Sequence, residues 1–483
     1  MDMEDQSGGT TPGNDAPPAF EYTAQAVSPI VNGQVKLVVG QAGLTVSALF
    51  DTAHLVYADI QAISIFNHVV TVKADSGDFV FSQMGSWGQR FFDALSAAYN
   101  QAMLRAMFVK GAPIVQAKGE FRFVEEGLHG GAQASVSVFS DCVAGLTANL
   151  LARRVPLSFV TGLDQTGFAI TLTSLFGDSY TFDKLGSNTT PFIDAVTSQV
   201  RLLRESSLAA IAQIDPSLDP VQASQLAKMM PLRTAAPFGQ LAEIAPSFVT
   251  GIEERIAATR AVESYQALKQ FGQADRIWVG LRPNEAAKDD SSEPGGIATE
   301  ALGGLASEFA PSEVTSEAEI GSAQDNAQPV SAEPYLIWVV APSPDGQYAI
   351  AEFAEADAAT FVFRTGGDFA AFARQLNRAL EAISFKREVI RLSDQELRQP
   401  QYADYLMASK YTAALRLVRS SFAGRVIHSN PEVWRSKLTE LFSSPATPPA
   451  VAAPVQSSFC GQCGAPRSPS VTFCQQCGAR LGR

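Results

Sequence analysis

Four cysteines in the last 24 residues carry the sharpest chemistry in this chain: Cys460, Cys463, Cys474 and Cys477. They form two Phe-Cys-x-x-Cys-Gly-Ala pairs, with ten residues between Cys463 and Cys474. A two-residue gap lets both sulfurs of a pair face one ion from a tight turn. Gly464 and Gly478 follow each second cysteine, where the backbone must turn its amides toward sulfur. Two such turns supply four thiolates at the roughly 2.3 Å tetrahedral distance that zinc prefers. Four protein ligands leave no open coordination position, so the expectation is one structural Zn2+ per chain. The segment Phe459 to Arg483 has little else to hold it, its main apolar groups being Phe459, Phe473 and Leu481. Metal binding must therefore supply its folding free energy, on the order of 10 kcal/mol or more at neutral pH.

All four ligand positions match the short zinc ribbons found at the ends of many bacterial proteins, and the tail resembles them. A rubredoxin-like iron site uses similar cysteine turns but usually has a longer segment between them. Two redox pairs would need a thioredoxin-like βαβ setting, which the flanking sequence lacks.

No other constellation reads as a reaction centre. His54, His68, His129 and His428 fall in no metal-binding spacing and read as exposed or satisfied loop histidines. Cys142 lies in the apolar stretch Val-Phe-Ser-Asp-Cys-Val-Ala-Gly-Leu and reads as a buried, inert thiol. The adjacent carboxylates Glu125-Glu126 and Asp289-Asp290 read as solvated charges rather than an acid/base couple. Glycine pairs Gly130-Gly131, Gly295-Gly296 and Gly303-Gly304 do not sit between a strand and a helix with a lysine, as a phosphate loop requires. We expect no catalytic and no cofactor-binding residues, hence no enzyme.

The elements around these residues come from periodicity. Alternating stretches in the first part (VKLVV, LTVSAL, IQAISI, VVTVKA, DFVFSQ) read as strands. They end at Gly85 and lead into a helix over Trp87 to Met107. About 100 residues later the pattern returns (FRFVEEGL, ASVSVF, LSFVTGL, FAITLTS, SYTFDKL), ending at Gly186 before a helix over Thr190 to Arg204. Gly77-Asp78 matches Gly177-Asp178 and reads as the last hairpin turn. Phe91-Phe92-Asp93-Ala94-Leu95 matches Phe192-Ile193-Asp194-Ala195-Val196. Antiparallel strands closed by one C-terminal amphipathic helix resemble bacterial pleckstrin-homology-like domains over Phe20 to Ala112 and Gln116 to Ser206. A generic α+β sandwich is the plainer alternative. Ala359 to Phe363, Gly366-Gly367 and a helix with Phe369, Phe372, Leu376 and Leu380 suggest a third, divergent copy.

The expected fold class is α+β multidomain, with repeated antiparallel sheet or barrel units, helical spacers and the zinc ribbon. The order is 1–19 disordered; 20–112 and 116–206 the repeats; 207–273 a helical spacer; 274–390 the divergent unit. Region 391–442 then reads as helical, including one helix from Tyr402 to Arg425. A Pro/Ala-rich linker, 443–458, leads to the ribbon, 459–483. The divergent unit carries an insert, 283–333, with eleven acidic residues and one basic residue, Lys288. Such a composition cannot bury enough apolar surface to offset the entropy of ordering it, so we expect disorder there.

Composition bounds the role. Apolar residues make up 46% and charged residues 18%, enough for several buried cores. The net charge of −13 disfavours nonspecific attraction of the whole molecule to nucleic acid or anionic lipid. Clustered CxxC pairs point to reduced thiols and a cytoplasmic setting. We expect no signal peptide and no transmembrane segment. Arg153-Arg154 is the only basic doublet of the second repeat, too little for a phosphoinositide cup, which argues against lipid head-group binding. Protein contact or self-association is the expected use, making the chain a non-enzymatic adaptor or scaffold.

The alternative is a nucleic-acid-associated regulator. It would use ten Lys/Arg against six acids over Lys386 to Phe442, helped by Arg467, Arg480 and Arg483 of the ribbon. Arg416 and Arg419 sit three apart on one helix face; their plainer reading is a solvated face. A peripheral membrane protein is the second alternative. Elemental analysis of reduced, unchelated protein should find one zinc per chain; finding none would reject the metal centre.

Overall fold

The computed structural model describes residues 20–259, 261–271, 276–284, 334–353, 359–428 and 430–443. The four ribbon cysteines, residues 1–19, almost all of the acidic insert and nearly all of the 443–458 linker lie outside that set. The described chain is α+β and multidomain, built on three antiparallel sheets.

The first sheet holds seven strands: β1 (Phe20–Val27), β2 (Gly33–Val39), β3 (Gly43–Ser47), β4 (Thr52–Val56), β5 (Ile60–Phe66), β6 (Val69–Ala74) and β7 (Gly77–Ser82). Their order is β4-β3-β2-β1-β7-β6-β5, so the first strand pairs with both the second and the last. Alternation drives this. In β6 every second residue is buried, with Val70 and Val72 facing α1 (Trp87–Ala106) and the opposite residues half-exposed. Phe91, Leu95, Tyr99 and Met103 close the face from α1, on a helical period.

The second sheet repeats the arrangement with β8 (Val115–Glu125), β9 (Leu128–Val138), β10 (Cys142–Leu146), β11 (Arg153–Pro156), β12 (Val160–Thr166), β13 (Ala169–Ser174) and β14 (Ser179–Asp183). Its order is β11-β10-β9-β8-β14-β13-β12, the same path. Both copies carry a bulge at the start of the fifth strand, at Ile60/Ala62 and at Val160/Gly162. Both also reach the helix through a glycine in the left-handed region, Gly85 (φ 55°) and Gly186 (φ 61°), a conformation glycine adopts without Cβ strain. The periodicity missed two strands per copy: β1 and β4 in the first, β10 and β11 in the second. Gly77 is not in the hairpin turn itself but opens β7, paired with Ala74.

Helix α2 (Thr189–Ile214) closes the second sheet and runs ten residues past the expected end at Arg204. Ser207, Ala210, Ile211 and Ile214 on that extension are buried in a helical layer with α3 (Pro220–Met229), α4 (Phe238–Ile244), α5 (Pro246–Ala257) and α6 (Val262–Phe271). Asp219 caps α3, its carboxylate accepting the backbone amides of Val221 and Gln222.

The third sheet runs in simple sequence: β15 (Ala235–Pro237), β16 (Trp278–Pro283), β17 (Tyr335–Pro342), β18 (Tyr348–Phe353), β19 (Ala359–Arg364) and β20 (Phe422–Ile427). Pro283, expected in the insert, ends β16 and faces Tyr335. Every residue of β18 is buried, because helices cover both faces. One face, with Trp338, Phe353, Phe361 and Phe363, meets α7 (Phe369–Ala382) and α11 (Ala413–Ser421) and merges with the core of the first unit. The other face, with Ile337, Val339, Ile350 and Val362, joins the helical layer and α12 (Pro431–Ser443). The strand-glycine-helix ending of the proposed third copy is present as β19, Gly366-Gly367 and α7. The sheet around it follows a different pairing order.

After α7 come two single-turn helices, α8 (Glu388–Arg391) and α9 (Asp394–Leu397), and the expected helix from Tyr402 to Arg425 is instead α10 (Ala403–Tyr411), α11 and strand β20. Thr412 takes an extended conformation (φ −95°, ψ 107°) and breaks the helix between them. The stripe Tyr411, Leu415 and Val418 is buried as its spacing implies. Phe422 leaves the helix and packs on Phe361 and Phe363, 6.0 and 5.7 Å between ring centroids. Strand β15 likewise falls in the region read as helical. Fully buried Asn377 of α7 holds it: its side chain accepts the Ala235 amide at 2.8 Å and donates to the Ala235 carbonyl at 2.9 Å. Short edge strands of this kind carry no periodicity of their own. Leu415, wholly buried in the core shared by the first unit and the third sheet, gives a direct check. Leu415→Ala should cost about 2–5 kcal/mol in chemical denaturation; a loss under about 1 kcal/mol would contradict a shared core.

Candidate functional site

The densest polar chemistry among the described residues lies where the second unit meets α7 and the α10–α11 link. Strand β11 delivers Arg153 and Arg154. Strand β8 and its turn deliver Glu125 and Glu126. Asp178 precedes β14 and Tyr180 lies within it. Helix α7 answers with Arg378 and Glu381, one turn apart on the face toward the second unit.

Arg154 is the centre. Its side chain is 4% exposed and that of its partner, Glu381, is 2% exposed. One guanidinium nitrogen donates to both Glu381 oxygens, and the other donates to Asp141 Oδ2 at 2.9 Å. Burial opposes the Arg154 charge, but the carboxylates of Glu381 and Asp141 outweigh it and hold its pKa above the ordinary arginine value. Arg233 reaches the same Asp141 oxygen at 3.5 Å.

Arg378 forms the second node. It meets Asp178 with two nitrogens, at 2.7 and 3.0 Å, and lies 3.3 Å from Glu126. Its guanidinium also stacks on Phe176 at 4.6 Å. Glu125 takes Arg153 at 2.9 Å and the Tyr180 hydroxyl at 3.4 Å. Burial, then Glu125 and Asp178, push the Tyr180 phenol up, so it stays a neutral donor. Glu125 is therefore an interface partner rather than the solvated charge its adjacency suggested, while Glu126 stays exposed at the rim, 3.3 Å from Arg378. The Arg153-Arg154 doublet likewise faces inward.

These groups surround a cavity of about 60 Å³. Small-molecule sites occupy roughly 300–1,000 Å³, so this one holds a few waters at most. Acids and bases here are matched to one another, which suits a clamp more than proton transfer. The first unit is clamped differently. Lys410 of α10 sits 2.6 Å from both Asp59 and Asp75, and Tyr411 donates to the Ala106 carbonyl at 3.2 Å. Burial raises the Asp75 pKa, but hydrogen bonds from Gln61 and Lys410 and the Lys410 charge lower it further, leaving it below the usual carboxylate value. Between the two units, Ile63 donates to the Ala148 carbonyl at 2.8 Å and Leu150 to that of Gln61 at 3.2 Å, capping the edge of β5.

The remaining candidates are accounted for singly. Cys142 is wholly buried, and burial pushes its thiol well above the usual range, which suits an inert core residue. His54 contacts Thr45 at 2.9 Å on the surface, and His68 sits at the β5–β6 turn. His428 had no sequence signal, yet it joins Glu352 (3.0 Å), Thr360 (3.1 Å) and Ser264. A catalytic triad needs serine and carboxylate on opposite ring nitrogens. Here Ser264 Oγ lies 3.4 Å from Nδ1 and 3.3 Å from Nε2, aligned with neither, while Glu352 also takes Nε2. Thr360 donates to Glu352 at 2.7 Å and accepts from Trp434 at 2.8 Å, making a buried polar tie between β18, β19 and α12. Asp289-Asp290 and the zinc-ligand cysteines lie outside the described residues.

The basic C-terminal third is largely spent on internal contacts. Lys386 lies over Phe108, Arg387 over Phe353 and Arg425 over Phe361. Arg419 meets Asp394 at 2.7 Å and the Val389 carbonyl, and Arg416 donates to the Lys410 carbonyl. Arg419 is therefore a structural contact, its side chain 12% exposed, while Arg416 stays exposed as a solvated face implies. No helix among the described residues is long and apolar enough to cross a membrane.

Removing one partner of the Arg154–Glu381 pair should be worse than removing both. Glu381→Leu should cost about 3–5 kcal/mol in urea denaturation, and the double variant Arg154→Met/Glu381→Leu should recover much of that. Equal losses in both would contradict mutual charge compensation between Arg154 and Glu381. No protein-family model matches the chain, and no curated protein matches it.

Proposed function

We propose that this chain is a non-enzymatic adaptor. Two pleckstrin-homology-like units, locked side by side on a shared α+β body, supply interaction surfaces, and a cysteine-bound zinc ribbon is presented on a Pro/Ala-rich tether. The Arg154–Glu381 node carries this reading: it devotes the densest cluster of ionisable groups to fixing one unit against another. The strand order β4-β3-β2-β1-β7-β6-β5 with a closing helix, present twice, supports the pleckstrin-homology-like assignment. The donor set of Cys460, Cys463, Cys474 and Cys477 supports zinc, since four thiolates in two pairs match its tetrahedral preference. A rigid body plus a tethered module raises the local concentration of whatever each binds. Reduced, metal-bound thiols fit a cytoplasmic setting.

The inward placement of Arg387, Lys410 and Arg419 favours this reading over nucleic-acid association. Affinity capture with the full chain and with a Cys460→Ala/Cys474→Ala variant, each with and without nuclease, tests it. Protein partners lost in the variant and indifferent to nuclease are the expected result. Capture abolished by nuclease would transfer the assignment to a nucleic-acid partner.

A further inference from the structure

The adaptor reading leaves the partner's chemistry open, and a cleft on the body supplies it. Between the second unit, α3, β15–β16 and α7 lies an open cleft of about 900 Å³. Its surface is mostly apolar, with Trp278, Phe369 and Phe176 as aromatic walls. Three cations line it from three separate elements: Lys228 near the end of α3, Arg276 just before β16 and Arg374 on α7. Among the described residues no acidic side chain lines the cleft, and none of the three cations has an ion pair or a hydrogen-bonded carboxylate.

That contrasts with the junction one turn further along α7. Arg374 also fronts a smaller cleft beside Glu126 and Asp178, but Arg378 already engages those carboxylates. Arg374 and Lys228 are exposed, while Arg276 is half-buried.

We propose that this cleft binds an acidic peptide segment of a partner protein, one that also carries large apolar side chains. Several separated carboxylates would meet Lys228, Arg276 and Arg374, and the apolar side chains would lie between Trp278, Phe369 and Phe176. The proposal rests on the adaptor reading and names the kind of partner it serves. A nucleic-acid strand fits less well, because nucleic-acid interfaces are more polar and more densely cationic than this mostly apolar surface.

The probe is a fluorescein-labelled synthetic peptide alternating pairs of glutamate and leucine, titrated into the full chain by anisotropy. Controls are the same peptide with lysine for glutamate and a labelled single-stranded oligonucleotide. Saturable binding of the acidic peptide is expected, at least tenfold weaker in Lys228→Glu/Arg276→Glu/Arg374→Glu. Circular dichroism should show that variant folded, since none of the three cations holds an ion pair among the described residues. Single Arg374→Gln, with a several-fold loss, guards against a misfolded triple variant. Unchanged affinity in the variants, absent binding, or preference for the oligonucleotide overturns the proposal. A variant in which a short glycine-serine loop replaces 285–333 adds one more arm. Binding seen only in that variant assigns the cleft to the chain's own acidic insert and overturns a partner. Nuclease-insensitive capture that persists after a failed titration would sink the cleft and leave the adaptor standing.

Discussion

A guanidinium taken out of water must be met by carboxylates, and the position of the second unit follows from where Arg154 finds them. Its two carboxylates come from different places in the chain, Asp141 in the same unit and Glu381 on α7, and Asp141 is shared with the further cation Arg233. Desolvation makes each unmatched charge expensive, so displaced packings of the unit that separate Arg154 from Glu381 are strongly disfavoured. Hydrophobic contact alone would tolerate sliding. The charge match fixes one register.

The two repeats show how one scaffold is docked in two ways. Asp78 in the first unit is exposed. Its counterpart Asp178 is 4% exposed, bonded to Ser174 at 2.9 Å and to Arg378. The first unit relies on apolar burial instead, merging Leu95, Tyr99 and Met103 of α1 into the core that holds Met407, Tyr411 and Leu415. Lys410 adds a lighter, partly exposed clamp through Asp59 and Asp75. Equivalent strands and helices thus carry different surface chemistry, which lets near-copies occupy non-equivalent places on one body.

The third sheet connects these modes. Both of its faces are covered, so its strands read as continuous apolar runs such as Leu336 to Ala341, without the alternation of β6. Its edges are completed by β15 and β20, which arrive from segments otherwise helical. The Asn377 side chain bonds to Ala235 and ties the β15 edge to α7, the helix that also carries Arg378 and Glu381. One helix therefore anchors a sheet edge and the second unit together, and the apolar-basic cleft opens beside it.

Periodicity in the sequence located both repeats, their closing helices and the glycines between, because burial on one face writes itself into every second or every third and fourth residue. The expectation of a thiolate metal set is equally local, resting on the spacing of the four tail cysteines alone. Strands β4 and β11, at four or five residues, and the three residues of β15 were too short to show a period. The break at Thr412 and the strand after it were hidden because Tyr411, Leu415, Val418 and Phe422 keep a helical stripe across the break. The inward turn of Glu125, Arg153 and Arg154 was invisible for a different reason. Arg154 and Glu381 lie 227 residues apart, and nothing near either one distinguishes a buried charge from a solvated one. Local pattern decides which elements form. Only the assembled fold decides which charges leave water, because desolvation depends on everything packed around them.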